Sequence, residues 1–338
     1  MALRPALTKR LPSLSTSLSL RTHSTSSVSA NEVTHFSALA SSWWDPMGSS
    51  RVLHLMNPLR HDFIASCLAD GLPAPSSSPS SSSNNLRYLD VGCGGGIFAE
   101  SLARTIPSSS PSQTQSTSSA TPTRAASITA IDPTPQLIQI ARDHARRDPK
   151  VAAHLSSGKF QYRNCTLEDL VRAQQDQTSS PPSTDQTIAT TPQPQPQNQF
   201  DIVTLFEVLE HIDTNATSSP LRFLTDCLRL LRPGGWLIGS TISRSLPAFF
   251  VNQVIAEAPW PIGVVPRGTH DWAKFVNPDE LRGWAKEGLA SSTSTSGSGS
   301  ASMQWKCSGV MYFPGIGWKF VSGSENWGNY FWAVRKGV

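Results

Sequence analysis

Cysteine is scarce in this 338-residue chain, and what there is forms no pattern. Cys67, Cys93, Cys165, Cys227 and Cys307 are odd in number and none stands in a Cys-x-x-Cys pair. Neither a zinc cluster nor a disulfide framework is expected, and a reducing compartment fits. Charge is thin as well, at 15% of residues. The formal net charge of +4 has a local origin: residues 1–30 carry Arg4, Lys9, Arg10 and Arg21 and no Asp or Glu. With those four set aside, the remaining 24 basic residues equal the 24 acidic ones. A near-neutral body removes the electrostatic argument for a nucleic-acid partner. Long apolar runs are also missing, and none reaches the roughly 18 residues that a membrane-spanning helix needs.

What is present begins with the acid-free, Ser- and Arg-rich N-terminus. Leu3, Leu7, Leu11, Leu14 and Leu18 recur at roughly helical spacing, although Pro5 and Pro12 weaken the helix. That composition predicts a mitochondrial transit peptide over residues 1–30, followed by one globular domain over 31–338. Four stretches rich in Ser, Thr, Pro and Gln, near 73–85, 107–124, 174–199 and 291–302, read as insertions in surface loops. Between them strands alternate with helices: strands at Leu86–Val91, Ser127–Ile131, Phe160–Asn164, Phe200–Phe206 and Trp236–Ser240, helices at Ile97–Thr105, Pro135–Arg147, Leu167–Arg172 and Leu221–Leu231. This is a βαβ series and predicts a parallel sheet.

The first strand runs into Asp90-Val91-Gly92-Cys93-Gly94-Gly95-Gly96. A glycine-rich turn between strand and helix lets backbone approach a ligand without Cβ interference, at the ligand crevice of a doubly wound sheet. Dinucleotide enzymes use a related Gly-x-Gly-x-x-Gly. Asp90 discriminates, because its carboxylate can accept hydrogen bonds from the ammonium of a methionine moiety and would repel a pyrophosphate. The turn therefore looks like an S-adenosylmethionine site, with Asp90, Gly92 and Gly94 at the cofactor.

Asp132 closes the second strand, where an acidic residue can take ribose hydroxyls; the alternative is a turn residue before Pro133. Phe206 ends the fourth strand beside the expected cofactor. Glu207, Glu210 and His211 follow at i, i+3 and i+4, so a helix would put them on one face. They could hold a divalent cation, Mg²⁺ being favoured by hard oxygen ligands, or serve a cap-and-pack role without metal. Ser243–Gly268, with Leu246, Phe249, Phe250, Trp260 and Ile262, reads either as an apolar lid that touches a bilayer surface or as a buried helix.

Trp43-Trp44-Asp45-Pro46, Asn57-Pro58-Leu59-Arg60, Glu207-Val208-Leu209-Glu210-His211 and Gly268-Thr269-His270-Asp271-Trp272 stand in order around the glycine turn. On these motifs the chain resembles the ubiquinone-biosynthesis O-methyltransferases, from about Asn31 to the C-terminus apart from the four stretches. The resemblance implies a Rossmann-like class I methyltransferase fold, a mostly parallel seven-stranded sheet with helices on both faces. It implies methyl transfer from S-adenosylmethionine to phenolic hydroxyls of polyprenyl dihydroxybenzoate and demethylubiquinol. It further implies cofactor contacts from Arg60, Gly92, Asp132 and Phe206, and a Mg²⁺ site at Glu207, Glu210 and His211. The partners it implies are other coenzyme Q biosynthesis proteins in a complex at the matrix side of the mitochondrial inner membrane, with peripheral membrane contact. Without a metal, His211 or His270 could act as general base, with Glu207 the remaining catalytic candidate. A methyltransferase of a different small phenol, or a non-catalytic scaffold subunit, are the competing readings.

Overall fold

The computed structural model describes residues 26–48, 50–73, 85–107, 121–179, 199–214, 218–250, 257, 271–292 and 303–337. Most of the expected transit peptide, most of the expected lid and His270 lie outside them. So do the greater parts of the four Ser- and Pro-rich stretches; where described, the third and fourth of these begin as helix, in α6 (Leu167–Ser179) and α9 (Pro278–Ser292).

Strand β1 (Leu86–Val91) sits inside the sheet, parallel to β2 (Ala125–Asp132) on one side and to β4 (Phe200–Phe206) on the other. Its residues alternate between the two faces, as a strand requires. Leu86 and Tyr88 join one core cluster while Leu89 and Val91 join the other. The first cluster is covered by α2 (Arg51–Asp70), α3 (Ile97–Ala103), α4 (Pro135–Ala145) and α5 (Pro149–Ser156). The second is covered by α6, α7 (Pro220–Leu230) and α9, with the short α8 (Leu246–Phe249) between the last two in the chain. A strand buried on both faces can be largely apolar, and β1 and β4 depart from this at Arg87, Asp90, Asp201 and Thr204.

The full order is β3-β2-β1-β4-β5-β8-β6-β7, with β3 (Phe160–Asn164) at one edge. β5 (Leu231–Ile242) continues the parallel set, and β8 (Asn329–Arg335) enters antiparallel between β5 and β6 (Gln304–Phe313). The expected seven strands are joined by an eighth. Gly315 and Gly317, at φ 81° and 84°, turn the chain after β6 so that β7 (Gly317–Phe320) folds back along it. β7 is held against α2 by the Trp318 indole, which donates to the Val52 carbonyl at 2.9 Å.

Two helices have local causes that the alternation of strands and helices does not reveal. Asp148 accepts hydrogen bonds from the Lys150 and Val151 amides, and Pro149 opens the first turn, so a separate α5 starts where a single helix to Arg147 is expected to end. Ser29 caps α1 (Ala30–Leu39) through the Glu32 amide. The residues just ahead of it already touch the body: the Ser27 N–H donates to Glu168 and its carbonyl accepts from Asp213. Among the described residues no helix is long and apolar enough to cross a membrane.

Candidate functional site

The site lies at the carboxyl ends of β1, β2 and β4, and strand parity decides who faces it. Asp90 shares a face with Tyr88, and Thr204 shares a face with Ile202 and Phe206; the register sets Asp90 directly opposite Thr204. The Thr204 hydroxyl donates to Asp90 Oδ1 at 2.6 Å. Asp90 is 3% exposed. Burial pushes its carboxyl up to about 7, against the opposing pull of Thr204 and Arg60. A cationic partner arriving here would restore the carboxylate, which is the behaviour expected of a group that receives an ammonium.

Gly92, Gly94 and Gly96 all adopt the left-handed region, at φ 70°, 53° and 87°, which is why glycine is required in this turn. A Cβ at Gly92 would meet Val208 Cγ2 at 2.6 Å. The turn is tied to the second strand: the Gly92 and Cys93 amides donate to the Ile131 carbonyl at 2.9 and 3.0 Å. Asp132 completes the tie. Its Oδ2 accepts from the Gly94 amide at 2.9 Å and its Oδ1 from the Thr134 amide at 2.8 Å. Burial raises its pKa despite those donors. Asp132 therefore shapes the glycine turn from the end of β2.

Arg60 reaches the same place from α2. Its guanidinium stands 5.0 Å from the Phe206 ring centroid and 6.0 Å from that of Phe98, a cation–π arrangement. Nη1 donates to Asn57 Oδ1 at 3.0 Å, while the buried Nε has no protein partner. Burial lowers its pKa to about 10, with Glu207 and Asp90 opposing. An unpartnered buried donor, two carboxylates and a cradle that admits no Cβ fit a zwitterionic nucleoside cofactor such as S-adenosylmethionine.

The segment after β4 departs from expectation. Glu207 has φ 56°, a strained value for a non-glycine residue, and only Leu209–His211 form a 3-10 turn. The helical face that would align Glu207, Glu210 and His211 is therefore not built. Glu207 Oε1 accepts from the Ser240 hydroxyl at 2.6 Å. Glu210, 3% exposed, accepts from the Thr241 hydroxyl at 2.8 Å. Burial and then Glu207 push the Glu210 carboxyl up to about 8. His211 turns to α1, with Nδ1 3.3 Å from Glu32 Oε2 and its ring edge-on to Phe36 at 4.9 Å. Among the described residues no three His, Cys, Asp or Glu side chains are grouped to hold a metal ion. The expected Mg²⁺ ligand set thus does not fit this arrangement.

The structure gathers Asp90, Gly92, Gly94, Asp132, Arg60, Phe206 and Glu207 and diverts Glu210 and His211. Thr204 and Ser240 were not anticipated, because their places opposite Asp90 and Phe206 depend on strand order and register. Glu32 and Phe36 carried no sequence signal. The tandem Trp43-Trp44 also lies on the glycine turn: the Trp44 indole donates to the Gly95 carbonyl at 2.9 Å.

A five-stranded parallel core in the order β3-β2-β1-β4-β5, an antiparallel β8 inserted beside β5, and an Asp-led glycine turn at the central strand define a class I S-adenosylmethionine-dependent methyltransferase. The family described as Methyltransferase domain matches residues 54–288. Among curated proteins, the chain is 34% identical over 257 residues to the ubiquinone biosynthesis O-methyltransferase of Cereibacter sphaeroides, covering 76% of this chain and 81% of that one. It is 31% identical over 341 residues to the mitochondrial ubiquinone biosynthesis O-methyltransferase of Candida albicans, covering 92% and 86%. The corresponding mitochondrial protein of Schizosaccharomyces pombe is 34% identical over 261 residues, covering 77% and 72%. The chain belongs to the ubiquinone biosynthesis O-methyltransferase family.

Proposed function

We propose that this chain transfers methyl from S-adenosylmethionine to phenolic hydroxyls of polyprenylated dihydroxybenzoate and demethylubiquinol intermediates in ubiquinone biosynthesis. The observation that carries the cofactor half is the cradle in which Thr204 holds Asp90 and Asp132 holds the Gly94 amide. The substrate half is supported by the relatives, two of which are named as mitochondrial.

The bound cofactor supplies an electrophilic methyl group, so the protein's work is to orient and deprotonate the acceptor. A phenol titrates near a pKa of about 10 and is a weak nucleophile at neutral pH. Of the candidate proton acceptors, His211 is held by Glu32 and His270 lies outside the described residues. Glu207 is only partly buried and stands near the Arg60 charge. It is the candidate we favour for accepting the proton, and its strained backbone is of the kind that persists where function requires it.

The same reading places the protein in mitochondria, peripheral to the matrix side of the inner membrane and in a complex with other coenzyme Q biosynthesis proteins. Its support is the acid-free N-terminus and the exposed Leu246, Phe249, Phe250 and Trp272 after β5.

The test is methyl transfer from labelled S-adenosylmethionine to a short-tailed 3,4-dihydroxy-5-polyprenylbenzoate, in EDTA and then with added Mg²⁺. Transfer supports the assignment. Restoration by Mg²⁺ alone would mean that Glu210 and His211 leave Thr241 and Glu32 to bind the ion. No transfer in either condition, with retained cofactor binding, favours a different phenol or a scaffold role.

A further inference from the structure

Trp43 stands over the glycine turn with nothing to donate to. It is 8% exposed, and its indole Nε1 is buried without a hydrogen-bond partner. The ring occupies the space that side chains at two glycines would fill: a Cβ at Gly94 would lie 2.7 Å from Trp43 Cζ2, and one at Gly95 would lie 2.7 Å from Nε1 itself. The orphaned N–H is thus at the surface of the turn that holds the amino-acid end of the cofactor.

The indole is fixed there from several sides. Phe36 meets it edge-on at 6.3 Å, and Ile97 and Leu137 pack in the same cluster. The next residue is anchored more firmly still. Trp44 donates to Gly95, stacks on the His144 ring at 3.4 Å with planes 5° apart, and His144 Nδ1 lies 2.7 Å from the fully buried Glu100. A tryptophan N–H held in place and buried usually has a partner, and leaving one unmade costs about 1–3 kcal/mol. The indoles of Trp44, Trp236 and Trp318 each donate to a backbone carbonyl. Trp332 is also unpaired, but it lies in a different core cluster, stacked on Trp305.

We propose that Trp43 is a cofactor-binding residue whose indole N–H donates to the carboxylate of the methionine moiety. The chemistry selects that group. An indole N–H is a donor only and needs an acceptor, whereas the Asp90 carboxylate is an acceptor that takes the ammonium. The two residues together read both ends of the zwitterion. This rests on the S-adenosylmethionine reading above.

The experiment titrates S-adenosylhomocysteine and its decarboxylated analogue, S-adenosyl-3-thiopropylamine, into the wild-type protein and Trp43→Phe by calorimetry. Phenylalanine keeps an aromatic ring on the turn and removes the donor. Trp43→Phe is expected to weaken S-adenosylhomocysteine about tenfold, the order of a hydrogen bond to a charged group, and to leave the analogue's affinity unchanged. Equal loss for both ligands reduces Trp43 to packing and overturns the proposal, as does no loss for either. Should the variant not fold, the wild-type arm decides: the wild type must bind the analogue more weakly than S-adenosylhomocysteine, and equal affinities overturn the proposal. A wild type that binds neither ligand overturns the cofactor reading itself.

Discussion

His211 Nδ1 lies 3.3 Å from Glu32 Oε2, so the turn after β4 is tied to the N-terminal helix α1. Lys274 joins them, donating to Glu32 at 3.0 Å and to Asp213 at 2.8 Å. For Glu32, burial favours the neutral form, but His211 and Lys274 outweigh it and hold the pKa at about 2, below the ordinary 4.5. For His211, burial also opposes charge, yet Glu32 and Glu210 raise the pKa above 6.5. The stability due to Glu32 is present above pH 4.5 and is lost as pH falls toward 2. That due to His211 is present below pH 6.5 and is lost as pH rises through its higher folded value. Urea denaturation should therefore show a stability maximum between pH 4.5 and 6.5, with Glu32→Gln flattening both flanks. A variant whose profile matches the wild type would remove this cluster as the anchor of α1.

Gly92→Ala should lose both stability and cofactor affinity. At φ 70° a Cβ brings left-handed strain of roughly 1–2 kcal/mol, and here it also meets Val208 at 2.6 Å. Gly158 separates the two effects, since it has φ 73° with nothing within 4 Å of an added Cβ. Gly158→Ala should cost stability by about 1 kcal/mol and leave S-adenosylhomocysteine binding unchanged. Calorimetry and thermal melts on the two variants check this.

Much of the cradle was legible because it is local. Asp90, the glycine turn and Asp132 are set by strand ends; the two-residue period gives the faces of Asp90 and Thr204, while their meeting also needs the pairing and register of β1 with β4. The metal triad failed for an equally local reason: its convergence assumed a helix from Glu207 onward, and the left-handed φ at Glu207 delays the turn to Leu209. The partnership of His211 with Glu32 could not be read, because it depends on where an amphipathic N-terminal helix docks. The β6–β7 hairpin was missed although Phe313-Pro314-Gly315-Ile316-Gly317 contains the glycines of its turn.

Glu100→Gln should disturb the cofactor turn from a distance. Glu100 is fully buried, paired with Arg104 and His144, and His144 supports the Trp44 that holds the Gly95 carbonyl. Only Glu100 is fully buried, and the Arg104 and His144 side chains reach solvent, so glutamine weakens two charge-assisted hydrogen bonds and is expected to cost about 1–3 kcal/mol. Affinity for S-adenosylhomocysteine should fall along with stability. A stability loss with full affinity would show that the Trp44 strut does not act on the turn.

Two exposed apolar groups share one rim of the sheet, which makes membrane contact a geometric prediction. β8 is antiparallel to both β5 and β6, so β5 and β6 run the same way. Ile242 ends β5 level with Asn329, and Tyr330 beside it is level with Gly309, so β6 continues through Phe313 beyond the carboxyl rim where the site lies. Leu246 is 78% exposed and Phe250 56% after β5, and Ile316 is 68% exposed at the hairpin tip. A lipid surface would cover both groups at once and leave the cofactor crevice facing the source of a polyprenylated substrate. Replacing Leu246, Phe249 and Phe250 by Ser, or Phe313 and Ile316 by Ser, should each weaken co-sedimentation with phosphatidylethanolamine–cardiolipin vesicles by roughly tenfold, given the transfer energy of such side chains. Transfer to a water-soluble phenol should be spared while transfer to a long-tailed substrate in vesicles falls. If only the first set matters, the hairpin points away from the bilayer; if neither does, these apolar groups are not a membrane contact.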